Sequence, residues 1–315
     1  MTERVPVTVV GGYLGAGKTT LVNHLLRHAG GLRIAVLVND FGALPIDADL
    51  IEAQGDNLIS IAGGCVCCAY GNDLMAALMA LPQRAQPPQH VLVETSGVAL
   101  PGAVARSIRL LAGFDIDSVA VLADAETVRA RAADRYMGDT IERQLAEADL
   151  VLLNKTDLVT REQIEELRTW LRGKAPGARV IEAVRSQVPP GVLFGSACSR
   201  DTRPAKSPFA AGAIRPIDAA AARYDSASFA QQRPVDVRSL ADELAGPEFG
   251  LLRAKGVLRD IDGSLKTLHV VGARREVAPF TLARDVDPGL ACIGLAGRID
   301  RTRIERALAR AAALL

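Results

Sequence analysis

The stretch GGYLGAGKTT, Gly11–Thr20, decides the reading of this chain. It follows the apolar run VPVTVV (5–10) and leads into TTLVNHLLRHA (19–29), whose apolar residues recur at helical spacing. Between that strand and that helix, Gly12, Gly17, Lys18 and Thr19 complete the pattern G-x-x-x-x-G-K-[ST]. Glycines let backbone N–H groups close on phosphate oxygens, and a helix beginning near Lys18 turns its positive end toward them. Gly12, Gly15, Ala16, Gly17, Lys18, Thr19 and Thr20 are therefore read as nucleotide-binding. Lys18 is assigned a catalytic place on the β/γ-phosphates, and the Thr19 hydroxyl is assigned to Mg²⁺. The implied ligand is a nucleoside triphosphate.

Outward from this loop, LRIAVLV (32–38), HVLVET (90–95), DSVAVLAD (117–124) and DLVLLN (149–154) are apolar almost throughout. Such runs suit strands covered on both faces of a parallel sheet. NDLMAALMAL (72–81) and REQIEELRTWL (161–171) carry the helical period between them. The expected fold is α/β, a doubly wound, mostly parallel sheet over residues 1–194, with its ligand crevice at the carboxyl ends of the strands. Residues 195–232, rich in Ala, Ser, Pro and Arg, read as a linker or mobile loop in which AAAARY (219–224) could form a short helix. Residues 233–315 read as a smaller α+β domain. There LLRAKGVLRDIDGSLKTLHVVG (251–272) looks like two strands around an Asp262-Gly263 turn, GLACIGLAG like another strand, and RTRIERALARAAALL like a terminal helix.

Composition excludes several classes. Hydrophobic residues make up 49% and charged residues 23% of the 315, an ordinary globular balance, and a net charge of +1 gives no electrostatic reason to expect nucleic acid or an anionic membrane. No apolar run approaches the roughly 20 residues of a spanning helix. The amino-terminal residues lack the ordered charged, apolar and small-residue regions of an export signal. Five cysteines, unevenly spaced, argue against a disulfide framework and for a reducing compartment. The protein is read as cytoplasmic.

The base is suggested by Asn154, Lys155 and Asp157, which form N-K-x-D at the end of an apolar strand. A carboxylate there accepts from both guanine N1–H and N2–H₂, a pair that adenine does not present. GTP is preferred over ATP, and a small-molecule P-loop kinase is disfavoured. VNDFG (38–42) and ETSG (94–97) fall where switch elements belong. Asp40 and Glu94 are candidates for holding Mg²⁺ or positioning the attacking water, and the Gly97 N–H for sensing the γ-phosphate. Asp40 also suits a plain turn.

Between the two switches lies GGCVCC (63–68), which gathers Cys65, Cys67 and Cys68. Thiolates suit Zn²⁺ and similar ions, and three of them leave a fourth tetrahedral position open for water, a carboxylate or a client's donor. An open site can exchange its ion, and a loop between two switches can be moved by the γ-phosphate. Buried core thiols or a redox pair at the C-x-x-C spacing of Cys65 and Cys68 are the competing readings. Cys198 and Cys292 read as structural or incidental. His24 and His28, four apart on one helix, could share a metal but more simply mark a helix face.

Taken in order, GGYLGAGKTT, VNDFG, GGCVCC, ETSG and NKTD resemble the CobW-type GTPases, a P-loop family associated with metallochaperone work. SFAQQRPVD (228–236) and LLRAKGVLRD (251–260) also look like that family's carboxyl-terminal domain. The resemblance implies a GTP-fuelled metal carrier with slow intrinsic hydrolysis, in which Cys65, Cys67 and Cys68 bind a transferred zinc or cobalt ion. It also implies a client metalloprotein as partner, and a client or a second copy in a homodimer could complete the site. Two departures stand out. The histidine-rich stretch common near the family's domain junction is missing, and Asp40 and Ala43 replace the two glutamates of the usual Asn-Glu-Phe-Gly-Glu. The rival reading is a GTP-dependent assembly factor for a metalloenzyme that carries no metal itself.

Overall fold

The computed structural model describes residues 4–39, 58–61, 70–194, 223–281 and 286–312. Asp40, Cys65, Cys67, Cys68 and Cys198 lie outside the described residues. The chain divides into two compact units near Leu193 and Phe194.

The first unit runs β1 (Val5–Gly12), α1 (Lys18–Arg27), β2 (Ile34–Asn39), β3 (Leu58–Ile61), α2 (Tyr70–Ala80), β4 (His90–Glu94), α3 (Pro101–Arg109) and β5 (Phe114–Asp124). It continues with α4 (Val128–Ala132), α5 (Gly138–Ala146), β6 (Leu150–Asn154), α6 (Arg161–Lys174), β7 (Arg179–Glu182) and α7 (Pro190–Phe194). Seven strands form one sheet in the order β3-β2-β4-β1-β5-β6-β7, and each pair is parallel. β4 and β6 are buried at every position, as strands sandwiched between helical layers must be. The chain leaves β1 for one half of the sheet, returns to β4 beside it, and then builds the other half from β5 outward. β1 thus sits where the strand order reverses, and the glycine loop leaving its carboxyl end opens into the crevice that such a reversal creates.

The second unit contains β8 (Tyr224–Ala230), α8 (Val237–Leu244), β9 (Leu251–Arg259), β10 (Leu265–Val271), β11 (Arg274–Pro279), β12 (Gly289–Leu295) and α9 (Arg301–Ala312). Its antiparallel sheet has the order β11-β10-β9-β12-β8. Val237, Leu240 and Leu244 of α8 join Ile304, Ala307 and Ala311 of α9 in one core with Ala254, Leu258, Leu268, Leu290 and Cys292 of the sheet. The Asp236 side chain caps α8 by accepting from the Arg238 and Ser239 N–H groups. This is the α+β domain expected after the parallel sheet.

Two details differ from the sequence reading. The expected linker 195–232 extends too far, because Tyr224–Ala230 is a strand paired to β12 and Tyr224, which would have closed a short helix, opens it. Ala227 and Phe229 are buried and alternate with exposed Ser228 and Ala230, a short period of two hidden beneath a Ser- and Ala-rich composition, while buried Tyr224 at the strand's start falls out of that phase. In the β9–β10 hairpin only Gly263 takes a positive φ, 82°, and the Asp260 N–H donates to the Ser264 carbonyl. The loop is therefore the three residues 261–263, ending in a left-handed glycine, rather than a two-residue turn needing positive φ at both centres. Among the described residues no helix is long and apolar enough to cross a membrane.

Candidate nucleotide-binding site

β1 carries Gly12 to the centre of the sheet edge, and the loop through Gly15 and Ala16 returns the chain to α1 at Lys18. Gly17 caps α1 with φ 103° and offers no side chain, leaving the helix's amino-terminal N–H groups in the arrangement that an anionic ligand fills. A Cβ on Gly17 would lie 2.6 Å from Asn154 Nδ2 and 2.7 Å from Ser186 Oγ, so this position requires glycine on both conformational and steric grounds. Lys18 is 7% exposed, Thr19 is partly buried and Thr20 is exposed.

The contact between the loop and Asn154 is a network. Asn154 Nδ2 donates to the Ala16 carbonyl at 2.9 Å and to Ser186 Oγ at 2.9 Å, and its Oδ1 accepts from the Ser186 N–H at 2.8 Å. Ser186 Oγ in turn donates to the Gly17 carbonyl at 3.0 Å. Asn154 is 2% exposed and spends its amide on backbone and on Ser186, so it bolts the N-K-x-D segment to the glycine loop. Lys155 follows with φ 61°, its Nζ 2.7 Å from Asp124 Oδ2 at the end of the neighbouring β5. The short turn Thr156–Leu158 is anchored by Thr156 Oγ1 donating to the Ala183 carbonyl at 3.1 Å. Asp157 within it is exposed, and no described residue engages its carboxylate. A short loop after β7 completes the wall, with Arg185 at φ 49° and Ser186 at φ 56°.

On the other side, Thr19 Oγ1 donates to Glu94 Oε1 at 3.1 Å. Glu94 ends β4 and is 2% exposed. A hydroxyl and a carboxylate held together beside the loop lysine are the hard oxygen donors that Mg²⁺ prefers. Thr95 is tied back to β1 through the Val10 carbonyl, Oγ1 at 3.2 Å and N–H at 2.9 Å. The Ser96 hydroxyl is shut off from solvent and meets no hydrogen-bond partner among the described residues. Gly97 abuts the phosphate loop, since a Cβ there would lie 2.7 Å from Leu14 Cδ2 and 2.8 Å from Leu14 N.

The structure thus gathers Gly12, Gly15, Ala16, Gly17, Lys18, Thr19, Glu94, Gly97, Asn154, Lys155 and Asp157 at one end of the parallel sheet. Asp40, Cys65, Cys67 and Cys68 fall outside what it describes. The sequence reading missed Asp124 and Ser186, which meet Lys155 and the Asn154–Gly17 junction. Asp124 carried a signal, as a carboxylate ending the apolar run DSVAVLAD, whereas an isolated serine in a loop carried none. His24 Nε2 meets the Val188 carbonyl at 3.1 Å and His28 Nδ1 meets the His24 carbonyl at 2.7 Å, which is a helix face fastened to backbone. Among the described residues no group of three or more His, Cys, Asp or Glu could hold a metal.

The family model described as "CobW/HypB/UreG, nucleotide-binding domain" matches residues 6–182. A Pseudomonas aeruginosa protein named "Zinc chaperone CobW" is 36% identical over 225 residues, covering 61% of this chain and 60% of its own length. A Sinorhizobium protein of the same name is 31% identical over 221 residues, covering 61% and 62%. The chain therefore spans about six tenths of the length of these curated relatives. The crystal structure of Zn(II)-bound YjiA GTPase from E. coli is 21% identical with a TM-score of 0.48, covering 98% of this chain and 99% of that one. Because the family match runs from β1 to the last residue of β7 and so takes in every strand of the parallel sheet, the chain belongs to the CobW/HypB/UreG family.

Proposed function

We propose that this protein binds and slowly hydrolyses GTP with Mg²⁺ and uses its nucleotide state to control a divalent metal delivered to a client metalloprotein. The observation that supports the nucleotide half is the fastening of the N-K-x-D segment to the glycine loop through Asn154 and Ser186, as expected if one edge of the sheet serves both base and phosphates. Lys18 would hold the β- and γ-phosphates and Asp157 would select guanine. Thr19 and Glu94 would hold Mg²⁺, which when bound neutralises charge developing on the phosphates. Asp40 would position the attacking water. No covalent step is needed, so catalysis rests on positioning and charge.

The metal half rests on Cys65, Cys67 and Cys68 and on the names of the two relatives, which are zinc chaperones by name. The transferred ion, zinc or cobalt, is cargo. Three thiolates with one open position would grip and release it as the neighbouring switches respond to the γ-phosphate.

The test is an anaerobic titration of the reduced protein with Zn²⁺ and Co²⁺, with and without Mg²⁺ and a non-hydrolysable GTP analogue. Tight binding near one metal per chain, with a thiolate-to-cobalt band that strengthens with the analogue and is lost when the three cysteines become serine, is expected. Absence of that band under every nucleotide condition would overturn the carrier reading and leave a GTP-dependent assembly factor.

A further inference from the structure

Helix α5 reaches the nucleotide region through a residue that no motif marks. Gln144 is 1% exposed, and its amide nitrogen donates to two carbonyls, Gly97 at 3.0 Å and Ala99 at 2.7 Å. Both carbonyls belong to one turn, closed on itself by the Ala99 N–H donating to the Ser96 carbonyl at 3.1 Å. The far side of the turn is the Gly97 contact with Leu14 of the phosphate loop. The turn is therefore held between Leu14 and Gln144.

The side-chain chemistry is specific. A primary amide offers two N–H donors from one nitrogen without a charge. A carboxylate in its place would face two carbonyl oxygens with no proton to give, and a thioether would leave both carbonyls buried without a donor. A trans peptide sets its C=O and the following N–H in opposite directions, so aiming the Gly97 carbonyl at Gln144 turns the Val98 N–H away from α5. One residue past α5, the Glu147 carboxylate accepts from the Gly102 N–H at 3.1 Å and meets Arg106 at 3.2 Å, fixing the start of α3 as well. The chain from Gly97 to Arg106 is thus moored at both ends to the α5 region.

We propose that Gln144 is a positioning residue for the GTP-bound state: it holds the 96–99 turn against Leu14 so that the turn's N–H groups are set for the γ-phosphate, which GTP has and GDP lacks. This rests on the GTPase reading above. Gln144 acts through Gly97 and Ala99 and touches no nucleotide itself.

The experiment compares wild type with Gln144→Met, which keeps the volume and removes both donors. GDP and a non-hydrolysable GTP analogue are titrated with Mg²⁺, steady-state GTP turnover is measured, and folding is checked by circular dichroism. The expected result is GDP affinity within about twofold of wild type, analogue affinity about tenfold weaker, and kcat about tenfold lower, since only γ-phosphate contacts depend on the turn. A folded variant with an unchanged analogue-to-GDP ratio overturns the proposal, as does equal loss of both nucleotides, the mark of a merely structural side chain. If Gln144→Met does not fold, Gln144→Asn, which keeps the amide but falls one methylene short, is judged by the same ratio. Failure of the wild type to bind either guanine nucleotide overturns the GTPase reading itself, whereas normal wild-type binding with an unchanged ratio in the variant overturns only the role of Gln144.

Discussion

Ser186 Oγ donates to the Gly17 carbonyl at 3.0 Å, although 169 positions separate the two residues. The same oxygen accepts from Asn154, so one hydroxyl joins the phosphate loop, the N-K-x-D loop and the loop after β7. Nothing in this junction is charged, and all of it is buried or nearly so. Its strength comes from completeness, because each buried donor and acceptor in it would cost about 1–3 kcal/mol if left alone.

Replacing Ser186 by Ala keeps the Asn154 bond to Ala16 but removes the hydroxyl that joins Asn154 to the Gly17 carbonyl, leaving that carbonyl only the Leu21 N–H among the described residues. Guanine nucleotide affinity is expected to fall about tenfold, equally for GDP and GTP, because the loss, about 1.4 kcal/mol, acts on the shared cradle and not on the γ-phosphate. Titration with a fluorescent guanine nucleotide checks it. Affinity unchanged within about twofold would show that the junction does not govern the cradle.

Asp157 is exposed, and no described residue engages its carboxylate, so its substitution should leave the fold intact. Asp157→Asn replaces an acceptor with a donor at the base. Guanine affinity is expected to drop at least about a hundredfold while xanthine nucleotide, which presents a carbonyl in place of the exocyclic amine, gains. Competition between the two nucleotides reads this directly, and retained guanine preference in the variant would remove Asp157 from base selection.

How much of this was legible beforehand depends on how local the determinant is. Gly17, Lys18 and Thr19 act within one strand-loop-helix unit, so spacing alone placed them. β6 and the Val119–Ala123 stretch of β5 declared themselves as apolar runs because both faces are covered. Leu58–Ile61 and Arg179–Glu182, by contrast, are four-residue strands at the two sheet edges, too short to show a period. Ser186 and Gln144 were invisible for a different reason: a lone serine or glutamine becomes functional only when folding brings a distant carbonyl to it. β8 was masked by Ser and Ala, whose weak hydropathy hides the brief alternation at Ala227 and Phe229, and Tyr224 is out of phase with both.

Thr19→Ala removes the hydroxyl that stands 3.1 Å from Glu94. If this pair holds Mg²⁺, nucleotide binding without the ion should change little, while the Mg²⁺-dependent gain in GTP affinity should shrink about tenfold or more. Glu94→Gln should do the same through the other donor. Titrations with and without Mg²⁺ separate this from a general loss of affinity, and an intact Mg²⁺ gain in both variants would place the ion elsewhere.

Cys292 lies on β12 at 1% exposure, within the core that α8 and α9 cover, and burial pushes its thiol up to about 12, with the Arg301 charge pulling slightly the other way. In the unfolded chain the thiol titrates near 8.5. The folded state therefore keeps a proton that the unfolded state gives up, so the stability this group contributes is whole below pH ~8.5 and drains away as pH rises toward ~12. Between pH ~8.5 and ~10 the loss amounts to about 2 kcal/mol. Circular dichroism melts of wild type and Cys292→Ala should accordingly converge as pH is raised through that window, the variant having lost volume but no ionisable group. Iodoacetamide at pH ~8.5 should leave Cys292 unlabelled in the folded protein and label it after unfolding. Parallel melting curves across the window, or ready alkylation of the native thiol, would show that the core over β12 opens far more easily than its packing implies.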